Sequence, residues 1–221
     1  CFYSCKFCTI PVIGKKSPGT YYRVRSAENV VNEIEHLFRK YHYRGFKILN
    51  FADSLFGADN RQFEEFTSLY VKRGLHQELP WICETRPEVV TSVWAAQARK
   101  AGCLVVSLGV ESMDDGVRQQ TLGKTVASSE ILASLENLRK QGILYILYFI
   151  LCAPGESFRS LLKTVRMGFL SGSIKNYFLF YLPLPKTPLC GESGKGRRTH
   201  RDTRHDDGYW NDPNIFLGPK E

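Results

Sequence analysis

Apolar residues along the chain follow two alternating patterns, one with helical spacing and one of short continuous runs. In the helical segments apolar side chains recur every three or four residues. Residues that favour helix starts precede these segments, and glycine follows most of them. The pattern predicts five helices, which begin near Ser26, Asp59, Pro87, Ser128 or Ser129, and Ser157.

The apolar runs between these helices are typical of buried strands. They cover residues 46–51, 79–84, 103–110, 143–152 and 176–184. Near-continuous apolar strands that alternate with helices are typical of a parallel sheet covered by helices. The predicted fold class is therefore α/β, with the active loops at the carboxyl ends of the strands.

Length and composition are those of one globular domain. The chain has 221 residues, of which 43% are hydrophobic, and it can bury a substantial core. No run of about eighteen apolar residues occurs, so no transmembrane helix is predicted. Its seven cysteines are an odd number, which argues against a disulfide framework and favours a reducing compartment. We therefore expect a cytoplasmic protein.

The first eight residues carry the strongest chemical signal. Cys1, Cys5 and Cys8 follow the spacing C-x3-C-x2-C, so one tight loop offers three thiolates. Three thiolates can bind three irons of a cubane cluster and leave the fourth iron open for another ligand. The spacing resembles the hallmark of the radical S-adenosylmethionine (SAM) superfamily, in which an aromatic residue at the position of Phe7 lies beside the adenine. A three-cysteine zinc site is the alternative that the motif alone leaves open.

Charged and polar residues follow successive predicted strands. They gather at one edge of the predicted sheet, where SAM would present an amino group, a carboxylate and a sulfonium. For each acid alone, a favourable charge at a helix N-terminus is an equally good explanation. The candidate cofactor-binding residues of this set are Asp53, Glu84, Arg86, Glu111 and Ser112.

Four further stretches, residues 22–30, 83–87, 109–112 and 182–189, look like the radical SAM enzymes that often follow a cobalamin-binding domain. The resemblance implies that Asp53 contacts the methionine amine of SAM. It also implies that Glu84, Arg86 and Glu111 contact SAM or line the substrate cavity, with Ser112 in the same motif as Glu111. The implied fold is a partial (β/α)6 TIM-like barrel whose first strand lies upstream of this chain.

The same resemblance implies an enzyme with a 4Fe–4S cluster on the three cysteines. An electron from a flavodoxin- or ferredoxin-type donor reductively cleaves SAM, and a 5′-deoxyadenosyl radical then takes a hydrogen atom from a substrate that the sequence does not name. Methyl transfer is the leading outcome if a cobalamin domain lies upstream, and methylthiotransferases are a close group.

The charge distribution leaves alternatives open. The formal net charge is +8, and Lys6, Lys15, Lys16, Arg23 and Arg25 lie in an amino-terminal stretch without acids. Such a stretch suits an acidic electron carrier, a nucleic acid or only solvent. A non-catalytic iron–sulfur or zinc module that binds nucleic acid is therefore the alternative function, although the strand-end acids do not favour it. An inactive scaffold of the same fold is a further alternative.

Three residues depart from the resembled pattern, and the composition changes near the carboxyl end. Ser54 stands where many relatives have a second acid, while Cys152 and Lys186 each replace a glycine. We expect a radical SAM core at residues 1–189 and a polar carboxyl-terminal extension at residues 190–221.

Overall fold

The computed structural model describes residues 1–193. Five strands in this part of the chain form one parallel sheet, and each strand pairs with the next one in sequence. Since a helix separates each strand from the next, all carboxyl ends meet at one edge of the sheet. The predicted α/β class is confirmed. The strands are β1 (Leu49–Phe51), β2 (Trp81–Thr85), β3 (Cys103–Glu111), β4 (Leu144–Leu151) and β5 (Lys175–Phe180).

Several predicted helix starts are confirmed at the level of hydrogen bonds. Ser26, Asp59 and Ser157 each accept a hydrogen bond from the backbone N–H three residues further on. Such caps stabilise a helix by about 1 kcal/mol. The α-helices of the described residues are α1 (Ile10–Lys16), α2 (Ala27–Tyr41), α3 (Asn60–Lys72), α4 (Leu75–Glu78), α5 (Ser92–Lys100), α6 (Ser128–Lys140), α7 (Phe158–Leu170) and α8 (Pro188–Ser193).

The helix predicted to begin at Pro87 begins later. Pro87 starts a single 3-10 turn, Pro87–Val89, and α5 begins only after Thr91. The Thr91 hydroxyl accepts a hydrogen bond from the backbone N–H of Trp94 at 3.1 Å and so caps this helix. The prediction that Pro87 lies in a first helical turn is correct. This turn is separate from α5, so the predicted start of the helix was wrong.

Four strands are shorter than predicted, and prolines limit two of them, β1 and β5. The β1 strand pairs from Leu49 onward because its partner β2 begins at Trp81, directly after Pro80. The last strand ends at Phe180 instead of residue 184. Pro183 and Pro185 lack the backbone N–H that a continuing ladder needs. The helices α1 and α4 and a π-helical turn at Val117–Thr121 were not predicted.

The hydrophobic core lies between the helices and one face of the sheet. Along β4, Tyr145, Leu147 and Phe149 are buried, whereas the residues that alternate with them are only half-buried. Trp81 is fully buried and donates from its indole nitrogen to the carbonyl of Ala101 at 2.8 Å. The other face of the sheet is the more open one, as expected for the inner wall of a partial barrel. Among residues 1–193, no helix is long and apolar enough to cross a bilayer.

Candidate functional site

The cysteine loop lies across the carboxyl edge of the sheet. The backbone N–H of Lys6 donates to the carbonyl of Leu122, after β3, and the N–H of Leu189, after β5, donates to the carbonyl of Lys6. Phe7 packs against a small buried cluster that includes Ala153, which follows β4. Cys5 contacts Arg86, which follows β2. The loop is therefore held by segments that follow four successive strands.

The three motif cysteines differ in burial. Cys5 is buried, whereas Cys1 and Cys8 are half-buried, and all three thiols are free. A backbone hydrogen bond of 3.2 Å from the Cys8 N–H to the Cys5 carbonyl closes the turn between them. Burial raises the pKa of the Cys8 thiol, the Ile10 backbone N–H opposes this shift, and the negative charges of Cys5 and Glu111 add to it. A bound cation would reverse this preference for the protonated thiol.

The residues of this edge fit an anionic iron–sulfur cluster. In the part of the chain that is described, no three His, Cys, Asp or Glu side chains are arranged to hold a single metal ion. A cubane has a different requirement, because each thiolate bonds to a different iron. The three free thiols meet that donor set. In addition, the buried guanidinium of Arg86 lies beside the Cys5 sulfur, and its positive charge suits a neighbouring anion.

Arg86 is held from three sides. Its Nη1 atom donates to the Cys5 sulfur at 3.0 Å, and its Nε atom donates to Oε1 of Glu88 at 2.6 Å. The guanidinium carbon lies 3.7 Å from the centre of the Tyr3 ring, and the residue is only 5% exposed. Burial alone would lower the pKa of Arg86, but Glu88 and Cys5 outweigh it and raise this pKa. The guanidinium is thus a fixed positive charge beside a motif cysteine.

Glu111 is paired with a lysine that the sequence reasoning missed. The Nζ atom of Lys124 lies 3.0 Å from Oε1 of Glu111 and 2.5 Å from the carbonyl oxygen of Gly109, and Lys124 and Glu111 are both buried. A Cβ atom at Gly109 would clash with the same Glu111 oxygen and lie 3.1 Å from the Lys124 Nζ atom. A larger residue at this position would therefore displace the ion pair. The sequence offered one sign that Lys124 is buried, namely its position in a largely apolar segment. That sign does not identify Glu111 as its partner.

The other predicted residues fall into separate environments. Asp53 is exposed after β1. Burial raises the pKa of the nearby Tyr22, and the charges of Asp59 and Asp53 add to this shift. Glu84 is exposed near the end of β2. Ser112 is fully buried: its hydroxyl lies 3.3 Å from that of Thr164 and accepts the backbone N–H of Asp114 at 3.1 Å. The structure thus brings Arg86 and Glu111 close to the cysteines, while the Ser112 hydroxyl is bonded within the fold.

Two stacked tyrosines lie on the open face of the sheet. Tyr148 and Tyr177 are register partners on β4 and β5, with ring centroids 4.8 Å apart and an interplanar angle of 9°. Burial raises the pKa of Tyr148, and the charge of Glu84 adds to the shift. The ammonium of Lys175 lies 4.5 Å from the Tyr177 ring centre. Sequence reasoning missed this polar group because both tyrosines sit within otherwise apolar strands.

The two positions where glycine was expected have left-handed backbone conformations. Cys152 has φ of 60° and Lys186 has φ of 68°. A residue with a Cβ atom costs roughly 1–2 kcal/mol more than glycine in this conformation. Cys152 is exposed directly after β4, so its thiol lies at the same edge as the cysteine loop.

A cavity of about 540 Å³ lies elsewhere, at the start of α7. It is lined by Asp114, Ser157, Arg159, Ser160 and Lys163. None of the predicted cysteines or cofactor-binding residues lines it. The candidate site is therefore the edge that carries the cysteine loop, and not this cavity.

Known proteins resemble this chain in sequence and in fold. The family model of the Radical SAM superfamily matches residues 1–168. A comparison with curated protein sequences finds no match for the chain.

Several solved structures share the fold. The radical S-adenosylmethionine methyltransferase TsrM from Kitasatospora setae, solved with cobalamin and a [4Fe-4S] cluster bound, is 21% identical with a TM-score of 0.75. The match covers 91% of this chain and 37% of TsrM, so the chain spans well under half of that protein.

Two further structures are similar over most of the chain. Methylornithine synthase (PylB) is 19% identical with a TM-score of 0.62, and the match covers 86% of this chain and 53% of PylB. The cobalamin-dependent S-adenosylmethionine radical enzyme OxsB, with aqua-cobalamin bound, is 15% identical with a TM-score of 0.61, and the match covers 84% of this chain and 27% of OxsB. The predicted partial-barrel fold is confirmed, while the position of its first strand stays a prediction. On its sequence and its fold, the chain belongs to the radical SAM superfamily.

Proposed function

We propose that Cys1, Cys5 and Cys8 hold a 4Fe–4S cluster and that the chain starts radical chemistry on a substrate at the open face of the sheet. The observation that carries the proposal is the fixed position of the cysteine loop across the carboxyl ends of four successive strands. In this superfamily, a reduced cluster supplies the electron for the reductive cleavage of bound SAM.

In this proposal some residues of the chain bind the cluster and others orient SAM. The three thiolates bind iron, and Phe7 anchors their loop in the small apolar cluster. Lys124 holds the Glu111 carboxylate in one orientation, so that both groups can meet the amino and carboxylate groups of SAM. Asp53 and Glu84 are the further candidate contacts for SAM or substrate. Ser112 supports the same turn through Thr164.

The open face suits a substrate cavity. The half-buried Tyr148 and Tyr177, with Glu84 and Lys175 beside them, present hydroxyl, carboxylate and ammonium groups on a wall whose other residues are largely apolar. A mixed wall of this kind can orient a small molecule through a few polar contacts. The identity of the substrate depends on loops and domains that vary among enzymes of one fold.

Cobalamin-linked methyl transfer is the reaction class that we propose first. Its support is the fold shared with TsrM and OxsB, which are a methyltransferase and a cobalamin-dependent enzyme by their own descriptions. Cobalamin would be supplied by a domain upstream of Cys1. Methylthio transfer is the second candidate, on the likeness of the sequence motifs.

We also propose an acidic flavodoxin- or ferredoxin-type protein as the electron donor. Lys15 and Lys16 are exposed in the last turn of α1, which begins two residues after Cys8, and Arg23 is exposed further along. Positive charge close to the cysteine loop would steer an acidic carrier to the site of electron transfer. All seven cysteines are free, which supports a reducing compartment such as the cytoplasm.

We retain residues 1–189 as the proposed core. The helix α8 crosses the expected boundary, and its Leu189 is buried beside Phe7. The proposed extension begins at residue 190, and its residues 194–221 lie outside the described part of the chain.

The proposal is tested by anaerobic reconstitution with iron and sulfide, reduction by dithionite in the presence of SAM, and an assay for 5′-deoxyadenosine. Cys5→Ala should lose the cluster and the product, whereas the control Cys190→Ala, which removes a thiol outside the motif, should keep both. A stable zinc site, or a cluster that leaves SAM intact, would contradict the enzyme function. Nucleic-acid binding by the zinc-loaded chain would then favour the alternative module.

A further inference from the structure

The guanidinium of Arg86 contacts the sulfur of Cys5, a neighbour that the sequence did not indicate. The distance from Nη1 to Sγ is 3.0 Å, and Arg86 and Cys5 are only 5% and 7% exposed. Sequence reasoning assigned Arg86 to SAM or to the cavity wall. In the fold, its nearest functional partner is a candidate cluster ligand.

The surroundings of Arg86 hold it in this contact. The Tyr3 ring covers the guanidinium at 3.7 Å, and Glu88 accepts a hydrogen bond from its Nε atom at 2.6 Å. The ion pair with Glu88 also includes Nη2, at 2.5 Å from the same oxygen. A side chain that is packed and paired in this way loses little further entropy when it donates to a sulfur. The hydrogen bond to Cys5 is therefore pre-organised.

We propose that Arg86 is a positioning residue that raises the reduction potential of the cluster through the Cys5 sulfur. The inference rests on the proposed function, because it requires that the cysteines hold a cluster. Reduction adds negative charge to the cluster and its thiolates. A hydrogen-bond donor on a ligating sulfur, and a nearby positive charge, both stabilise the reduced form more than the oxidised form. Glu88 offsets part of the positive charge of Arg86, but it does not remove the hydrogen bond from Arg86 to the Cys5 sulfur.

The test is a potentiometric titration of the reconstituted chain without SAM or substrate, followed by the electron paramagnetic resonance signal of the reduced cluster. In Arg86→Met, the reduction equilibrium should shift at least tenfold toward the oxidised form, which is about 59 mV for a one-electron couple. Arg86→Lys should shift it less, because lysine keeps the charge but not the planar fork of donors.

Two further variants separate this role from damage to the fold. Glu88→Gln removes the opposing charge, so its midpoint should move in the other direction, which a loosened fold would not produce. Arg139→Met removes one positive charge at the opposite edge, where Arg139 contacts Tyr145 and the carbonyl of Ser171. Its midpoint should equal that of the wild type.

An unchanged midpoint in Arg86→Met, at equal iron and sulfide content, would overturn the inference while leaving the proposed function intact. If Arg86→Met does not retain a cluster, unchanged midpoints in both Arg86→Lys and Glu88→Gln would overturn it instead. Absence of a cluster in the wild type would contradict the proposed function itself and this inference with it.

Discussion

The two edges of the sheet are built from different chemistry. At the amino edge, Trp81 and Cys103 begin their strands fully buried, and the Trp81 indole nitrogen donates to the Ala101 carbonyl. At the carboxyl edge, buried Arg86, Glu111 and Lys124 carry charge. One edge is built for stability, and the other places charged groups where a cluster and a cofactor would lie.

Backbone conformation follows the same division. Within residues 1–193, the non-glycine residues with positive φ are Glu111, Cys152 and Lys186, and they lie at the ends of, or in the loops after, β3, β4 and β5. Such conformations persist where surrounding contacts over-determine them, and they cluster at functional sites. Backbone strain and buried charge therefore occur together at the carboxyl edge of the sheet.

The largest loss of stability is expected from the amino edge. Trp81→Ala removes a fully buried side chain, and it should lower the free energy of unfolding by about 3–5 kcal/mol, because a cavity replaces the ring. Urea unfolding followed by circular dichroism measures this. Trp81→Phe keeps most of the volume but leaves the Ala101 carbonyl without its donor, so a loss of about 1–3 kcal/mol is expected. Equal losses in the two variants would contradict the cavity argument.

At the carboxyl edge, Lys124→Met should cost roughly 3 kcal/mol, because it leaves the Glu111 carboxylate buried without its partner. The same unfolding measurement applies. The double variant Lys124→Met with Glu111→Gln removes both charges and should recover much of the loss. Its SAM affinity, measured by calorimetry on the reconstituted chain, should stay weakened. Full recovery of both properties would show that the pair serves stability alone.

A gain of stability is expected at the strained end of β4. Cys152→Gly should raise the free energy of unfolding by about 1 kcal/mol, because glycine adopts a positive φ without a clash of Cβ. Thermal unfolding is a sufficient measurement. Cys152→Ala removes the thiol but keeps the Cβ atom, so no gain is expected from it. A gain in the alanine variant as large as in the glycine variant would assign the effect to the thiol.

The smallest effect is a change in the pH dependence of stability. Burial raises the pKa of the Glu156 carboxyl, although backbone N–H groups of Ala153 and Cys152 oppose the shift. Its contribution is therefore fully present below the pKa of the unfolded chain, and it is lost as pH rises through the raised folded pKa. Glu156→Gln should flatten the unfolding free energy across that acidic range. An unchanged slope would contradict the assigned shift.

Helices and strands were predicted correctly where the residues that determine their ends are close together in the sequence. Ser26, Asp59 and Ser157 cap helices through hydrogen bonds to residues three positions away, and these starts were readable from the sequence. The start of β1 was not, because it depends on where its partner strand begins after Pro80. The sequence also missed Lys124, since its partner Glu111 is thirteen positions away and meets it only across a turn.

The amino-acid sequence by itself determined the family, the alternation of strands and helices, and the three cysteines, because these are encoded in spacing and periodicity along the chain. Only the tertiary structure decided that Arg86 donates to Cys5 and that Glu111 pairs with Lys124. It also decided that Ser112 bonds to Thr164 within the fold. The physical reason is that each of these contacts joins side chains at least 13 positions apart along the chain, and such side chains meet only after the fold has formed.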